Sequence, residues 1–426
     1  MVRSHKRAVG GSKNAAGGPY VRGMSTPPTG SVSSSALAEA DEIAVQVRRF
    51  VEQEAAPRHA DGFDEHGVRP EVRRELQDRA RAAGVFAPTA PIEFGGLGLG
   101  IVDQVPVLEA AGRSLLGPQA LNCAAPDEGN IHMLDVIATP EQRQRYLAPL
   151  AEGTARSCFS MTEPAPGAGS DPSMLRTTAT RVSGGWRIEG HKWFTTGAEG
   201  ADFAICMART GGEGRTTEAT MFLVDLPNPN VEIRRAVRTT DFSGVGGHCE
   251  VYYHGVEVSD DAVLGRPGEG FRYAQVRLAP ARLTHCMRWM GAAQAAHERA
   301  IAHVAEREAF GARLGELGMV QAMLADNEID LQASRALVRS TAEILGAGGK
   351  ARQESAIAKV FVSEAVGRVV DRVVQMHGGM GVSEDTDLGW LLSSIRPFRI
   401  YDGPSETHRW AIARRLIHQA TANGRA

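Results

Sequence analysis

The chain has 426 residues, 42% hydrophobic and 23% charged, with a formal net charge of −3. That is apolar material for roughly two or three packed domains and excludes a wholly disordered protein. No run reaches the roughly 18 consecutive apolar residues of a membrane helix, and the 48 glycines lack the three-residue period of a collagen-like fibre. Five scattered cysteines (123, 158, 206, 249 and 286) contain no CxxC pair. Neither a disulfide scaffold nor a zinc ribbon is expected, and a reducing, cytoplasmic setting fits.

Charge is uneven along the chain. Residues 1–35 carry Arg3, Lys6, Arg7, Lys13 and Arg22 and no acid, a net of +5, which leaves 42 basic against 50 acidic residues, or −8, for the rest. A body this acidic lacks the basic footprint of a nucleic-acid binder. The first 35 residues are rich in Gly, Ser and Pro and contain no Leu, Ile or Phe. They read as a disordered basic tail or an over-extended start, with Met24 as the alternative, and only superficially as a transit peptide.

From residue 36 to about 155 the pattern is helical: Leu37, Ile43, Val47, Phe50 and Val51 recur near a 3.6-residue period, and Val72, Leu76, Ala80 and Ala83 repeat it before Gly84. Thr139-Pro140-Glu141 is a capping signal. From about 156 to 262 short β-rich runs take over: Trp186–Glu189, Phe203–Ala208, Thr220–Leu226, Val231–Arg234 and Glu250–Val258. Turn chemistry separates them, predicting an antiparallel barrel or sandwich. From 263 to about 420 helical periodicity returns. Leu324, Leu331, Val338 and Leu345 form one stripe, Val362, Val366, Val369, Val370 and Val373 another, and Gly378 stands at a C-cap.

The chain lacks the glycine-rich dinucleotide and P-loop signatures, a nucleophile elbow and a zincin helix. His248 and His254 read as edge residues and not as ligands. Three other segments are chemically dense. Cys158 to Asp171 places Gly167, Ala168, Gly169 and Ser170 in a turn that lets backbone approach a ligand, or is an ordinary Gly-rich loop. His191 to Ala198 ends a strand with Trp193, Phe194, Thr195 and Thr196, suited to a flat heterocycle or to a barrel core. Ile400 to Arg409 sets Asp402 before Gly403-Pro404, where a turn-capping aspartate is the default.

In this order, on a helix–β–helix plan, these segments resemble the acyl-CoA dehydrogenase family from about Ala36 to Leu416. Pro91 to Gly98 resembles the family's N-terminal-domain loop, Arg307-Glu-Ala-Phe-Gly311 its Arg-x-x-Phe-Gly motif, and Gln375-Met-His-Gly-Gly379 its Gln-x-x-Gly-Gly motif. The spacing from Gln375 to Asp402 matches that from the family's Gln to its catalytic carboxylate. Asn122 to Asn130 and Arg282 to Arg288 are similar to the branch that, in some animals, is fused to a phosphotransferase-like domain.

The resemblance implies a mainly α fold with a central β-barrel: an N-terminal helical domain over 36–155, a middle β-barrel domain over 156–262 and a C-terminal four-helix bundle over 263–420. It implies FAD, an acyl-CoA substrate, an electron-transfer flavoprotein as acceptor and a homodimer or homotetramer. Carried over, Phe159, Met161 and Thr162 flank the isoalloxazine, while Phe194, Thr195 and Thr196 face its other side. Ser170 meets the pyrophosphate or pantetheine region. Arg307, Phe310, Gln375, Gly378 and Gly379 bind a neighbouring subunit's FAD. Arg282 and Gly403 lie on the substrate side, and Pro404 and Glu406 replace the common Thr and Gln that follow the base on the cofactor side. Asp402 is the matching base, since Ala281 lacks the glutamate that some members carry there. The implied reaction is α,β-dehydrogenation of an acyl-CoA thioester, with a same-fold oxidase or monooxygenase and a non-catalytic scaffold as rivals.

Overall fold

A computed structural model describes residues 34–65, 67–211, 218–241 and 245–422. The tail expected over 1–35 lies outside the described residues except for Ser34 and Ser35, which already open the first helix. The N-terminal region is helical as its apolar period requires: α1 (Ser34–Phe50), α2 (Pro70–Ala82), α3 (Gln104–Ala111) and α4 (Asp127–Ile137). α2 ends where Gly84 takes a φ of +71°, open to glycine at no steric cost. The capping signal at Thr139 is a full box: its hydroxyl accepts from the Gln142 N–H while Gln142 Oε1 accepts from the Thr139 N–H.

The middle region holds β1 (Ser157–Ser160), β2 (Thr178–Val182), β3 (Gly185–Thr196), β4 (Phe203–Arg209), β5 (Ala219–Asp225), β6 (Val231–Ala236), β7 (His248–Ser259) and β8 (Val263–Leu264). They form one sheet in the order β8-β5-β4-β2-β3-β7-β6, with β1 also on β4. The middle β region is as expected, but no closed barrel is found: among the described strands β8 and β6 do not pair. Its two halves meet at a single parallel pair, Thr178 with Arg209. β1 runs parallel to β4 as well, so the sheet is not purely antiparallel.

Side-chain alternation places the sheet between two cores. Phe203, Ile205 and Met207 of β4, with Met221 and Leu223 of β5, join the large core shared with the helices. Ala204, Cys206 and Ala208, with Phe222 and Val224, face a second core that includes Trp186, Ile188, Val251 and Tyr253.

Four long helices follow: α5 (Gly270–Glu306), α6 (Gly318–Gly346), α7 (Arg352–His377) and, after α8 (Leu388–Ile395), α9 (Ser405–Ala422). The valine stripe of α7 is fully buried, as are Leu331 and Val338 of α6, whereas Leu324 and Leu345 are only partly covered. α7 packs on α5, α6 and α9, and α4 lies across α5.

Candidate active site

The turn between α8 and α9 carries Tyr401, Asp402, Gly403 and Pro404. Asp402 has a φ of +54° and Gly403 of +100°. The first is a left-handed conformation that aspartate tolerates better than most side chains. At the second, an added Cβ would stand 2.6 Å from His408 Nε2, so only glycine fits. Three side chains hold the turn by its carbonyls. Arg282 Nε (2.9 Å) and His408 Nε2 (3.1 Å) donate to Asp402 O, and Lys359 Nζ donates to Gly403 O at 2.8 Å. Tyr401 is tethered by the Trp289 indole N–H at 2.5 Å.

The Asp402 carboxylate is buried in a cationic setting. Burial pushes its pKa up, but His285, Arg277, Arg282 and Lys359 outweigh that and hold it below the usual carboxylate range. Burial, then Arg288, drives His285 down to about 3. The ring is therefore neutral at neutral pH, where Arg277, Arg282 and Lys359 are the charges that keep Asp402 ionised. Lys359, lowered by burial to about 8, stays mostly charged there. Asp402 Oδ2 is buried and has no hydrogen-bond partner among the described residues.

Arg277 joins this turn to the sheet. Its Nε donates to Asn130 Oδ1 at 2.8 Å, and its guanidinium lies 4.4 Å from the Phe159 ring centroid. The segment after β1 then runs beside β3: the Trp193 N–H donates to Thr162 O (3.0 Å) and Lys192 Nζ to Met161 O (3.1 Å). A fully buried ion pair fixes this arrangement, with Lys192 Nζ 2.9 Å from Glu163 Oε1. Glu163 also accepts from the backbone N–H groups of Ala168, Arg176 and Thr177. The Ala168 donor that the sequence offered to a ligand is thus bonded within the chain, and Ser170 is exposed.

At the end of β3, Phe194 is 43% exposed with a φ of +48°, a strained conformation for an aromatic residue. Thr195 Oγ1 is buried without a hydrogen-bond partner among the described residues. Thr196 Oγ1 lies 2.8 Å from His248 Nδ1, whose Nε2 is 3.1 Å from Asp241 Oδ2. His248 is therefore a partner of a candidate site residue, whereas His254 is exposed and bonded to Glu232. Pro404 and Glu406 flank the start of α9, with Glu406 exposed.

The remaining candidates form a second cluster. His303 and His377 stack with centroids 4.5 Å apart, joining the end of α5 to the end of α7. Arg307, Phe310, Gln375, Gly378 and Gly379 gather there, all exposed, Phe310 by 95%. His303 is 21 residues beyond Arg282 on the same helix, about 30 Å away at ~1.5 Å per residue. The candidates thus split between the first half of α5 and its C-terminal end. Sequence reasoning missed Arg277, His285, Trp289, Lys359 and His408. Arg277, Trp289 and Lys359 lie on helices whose period announces only core, while His285 and His408 stand inside the Arg282–Arg288 and Ile400–Arg409 segments with no local signal of a role.

Models of the acyl-CoA dehydrogenase N-terminal, middle and C-terminal domains match residues 38–154, 158–256 and 268–417. The Mycobacterium tuberculosis protein named "Probable acyl-CoA dehydrogenase FadE2" is 38% identical over 363 residues, 84% of this chain and 88% of its own. Acyl-CoA dehydrogenase family member 11 of Gallus gallus is 34% identical over 390 residues. The match covers 88% of this chain but 50% of that protein, so the chain spans about half its length. Among solved structures, acyl-CoA dehydrogenase from Geobacillus kaustophilus aligns at 25% identity with a TM-score of 0.79, over 89% of this chain and 98% of its own. Three domain matches in order, on this helix–sheet–helix architecture, place the chain in the acyl-CoA dehydrogenase family, with a flavin-dependent dehydrogenase fold.

Proposed function

We propose that the protein uses FAD to convert an acyl-CoA thioester to its 2-enoyl-CoA, with Asp402 taking the α-proton. The observation that carries this is the turn itself. It holds a buried carboxylate, one oxygen of which has no hydrogen-bond partner among the described residues, in a left-handed backbone clamped by Arg282, Lys359 and His408. Such a turn is costly to maintain for structure alone.

The strand end suits a flat, polar-edged heterocycle. Phe194 is exposed, and the orphaned Thr195 hydroxyl lies between it and the half-buried Thr196. Phe159, Met161, Thr162, Thr195 and Thr196 would hold the isoalloxazine, and bound FAD would supply the acceptor for the hydride leaving the β-carbon. An α-proton beside a thioester is a weak acid, so its base must be ionised before substrate arrives and become more basic afterwards. Arg277, Arg282 and Lys359 supply the first condition. An acyl chain that excludes water from the turn supplies the second, because desolvation raises a carboxylate's proton affinity.

The second cluster supports a homodimer or homotetramer in which Arg307, Phe310, Gln375, Gly378 and Gly379 reach a neighbour's FAD. A guanidinium fork such as that of Arg307 matches a pyrophosphate. In this reading Ser170 contacts the pyrophosphate or pantetheine region, and an electron-transfer flavoprotein reoxidises the enzyme. The test is anaerobic flavin bleaching across an acyl-CoA panel. Asp402→Asn should keep bound FAD and the fold yet lose at least ~10³-fold in bleaching rate. Bleaching at the wild-type rate would overturn the assignment of Asp402.

A further inference from the structure

We infer that His285 is a positioning residue for the Asp402 carboxylate, holding Oδ2 through an Nε2–H bond; this rests on the reading of Asp402 as the base. His285 lies on α5 three residues beyond Arg282, with the Tyr401 ring at 4.9 Å and the Phe398 ring at 6.1 Å. Its Nδ1 is 3.2 Å from Arg288 Nη2. A guanidinium has donors and no acceptor, so Nδ1 must accept, and the neutral ring carries its proton on Nε2. Nε2 lies 3.5 Å from Asp402 Oδ2, the carboxylate oxygen with no hydrogen-bond partner among the described residues.

The lock extends away from the turn. Arg288 donates to Cys123 O at 2.9 Å and pairs with Glu128 Oε2 at 3.5 Å, and Glu128 accepts from the Thr284 hydroxyl at 3.0 Å. The tautomer of His285 is therefore set by groups on α4 and the loop before it, not by solvent. At 3.5 Å the pair is close to, but not yet at, hydrogen-bonding geometry, and catalytic contacts often tighten only when substrate binds. The ring does not compete for the α-proton, since burial and Arg288 keep it neutral. Its role is to fix the carboxylate's rotation, and with it the direction from which the proton is accepted.

The test compares stopped-flow flavin reduction in wild-type holoenzyme, Asp402→Asn, His285→Phe and His285→Gln, using octanoyl-CoA and its α-deuterated form, or whichever of butyryl- and palmitoyl-CoA reduces wild type faster. Loss of positioning in His285→Phe should slow reduction by roughly 10²-fold. It should also raise the isotope effect and leave the acyl-CoA dissociation constant unchanged, and the donor restored in His285→Gln should recover most of the rate. If Asp402→Asn is inert while His285→Phe reduces at the wild-type rate, this inference fails alone. If Asp402→Asn still reduces, the base assignment fails and takes this inference with it. Weakened substrate binding in His285→Phe, without rescue by Gln, would also overturn it. Should His285→Phe not retain FAD, the wild-type imidazole ¹⁵N shifts, assigned with His285→Gln, decide. An Nε2-protonated ring supports the inference; an Nδ1-protonated or doubly protonated ring overturns it.

Discussion

At the residue scale, Asp402 and Gly403 show backbone and chemistry held by one set of contacts. Gly403→Ala would force a Cβ to within 2.6 Å of His408 at a φ of +100°. We expect it to cost about 1–3 kcal/mol in urea denaturation and to depress flavin reduction further still, because the same displacement moves the carboxylate. Asp402→Glu should slow reduction by roughly 10²-fold although the charge is kept, since a longer side chain on a clamped turn misplaces its oxygens by about 1 Å. A Glu variant as fast as wild type would show that the turn adapts. Asp402 stands out in the sequence only through the family resemblance, by its distance from Gln375; its flanking residues alone read as a turn cap. Its partners do not stand out. Lys359 reaches Gly403 across 44 residues and Arg282 reaches Asp402 across 120, and such pairings belong to helix packing and leave no local trace.

Among the elements, the pair of Lys192 on β3 and Glu163 after β1 gives a sharp test. Both side chains are almost fully buried, 0% and 2% exposed, so removing one partner strands a charge. Lys192→Met should destabilise by ~3–5 kcal/mol, and the double variant Lys192→Met/Glu163→Gln should recover part of that in a denaturation cycle. Acid sensitivity follows from the helices. Burial holds His285 to about 3 and His408 to about 4, against an ordinary value near 6.5. The unfolded chain therefore binds protons near pH 6.5 that the native state refuses until far lower. This stability is fully present above pH 6.5 and is lost as pH falls toward 4, by on the order of 1–2 kcal/mol per histidine at pH 5. Urea midpoints at pH 7 and pH 5 should show the drop, and His408→Gln should lessen it. The helices were readable because one buried face imposes a 3.6-residue period, as the α7 valines show. The closure of the sheet was not: β4 and β5 are buried on both faces, which suits a barrel wall and an open sheet equally, and edge pairing is invisible in composition.

On the scale of the whole molecule, the apolar residues left exposed on one chain argue for assembly. Phe310, Met319, Val382, Trp410 and Ile417 are 95%, 83%, 72%, 59% and 64% exposed, the first beside Arg307. If a neighbour's FAD is held there, Arg307→Ala should weaken both flavin retention and subunit association, because ligand and partner stabilise the same state by mass action. Light scattering with absorbance at the flavin band reads both, and a flavin-loaded monomer would refute the coupling. The three family-domain models fall on residues 38–154, 158–256 and 268–417, yet the chain is not three separate bodies. β4 and β5 send alternate side chains into the helical core and into the sheet's own core. A strand shared in this way has no face to spare. A mutational scan should therefore find intolerance at every consecutive position across 203–208 and 219–224, where an ordinary surface sheet tolerates every second change. Calorimetry should likewise record one endotherm, since the middle region cannot melt without opening the helical core on its other side.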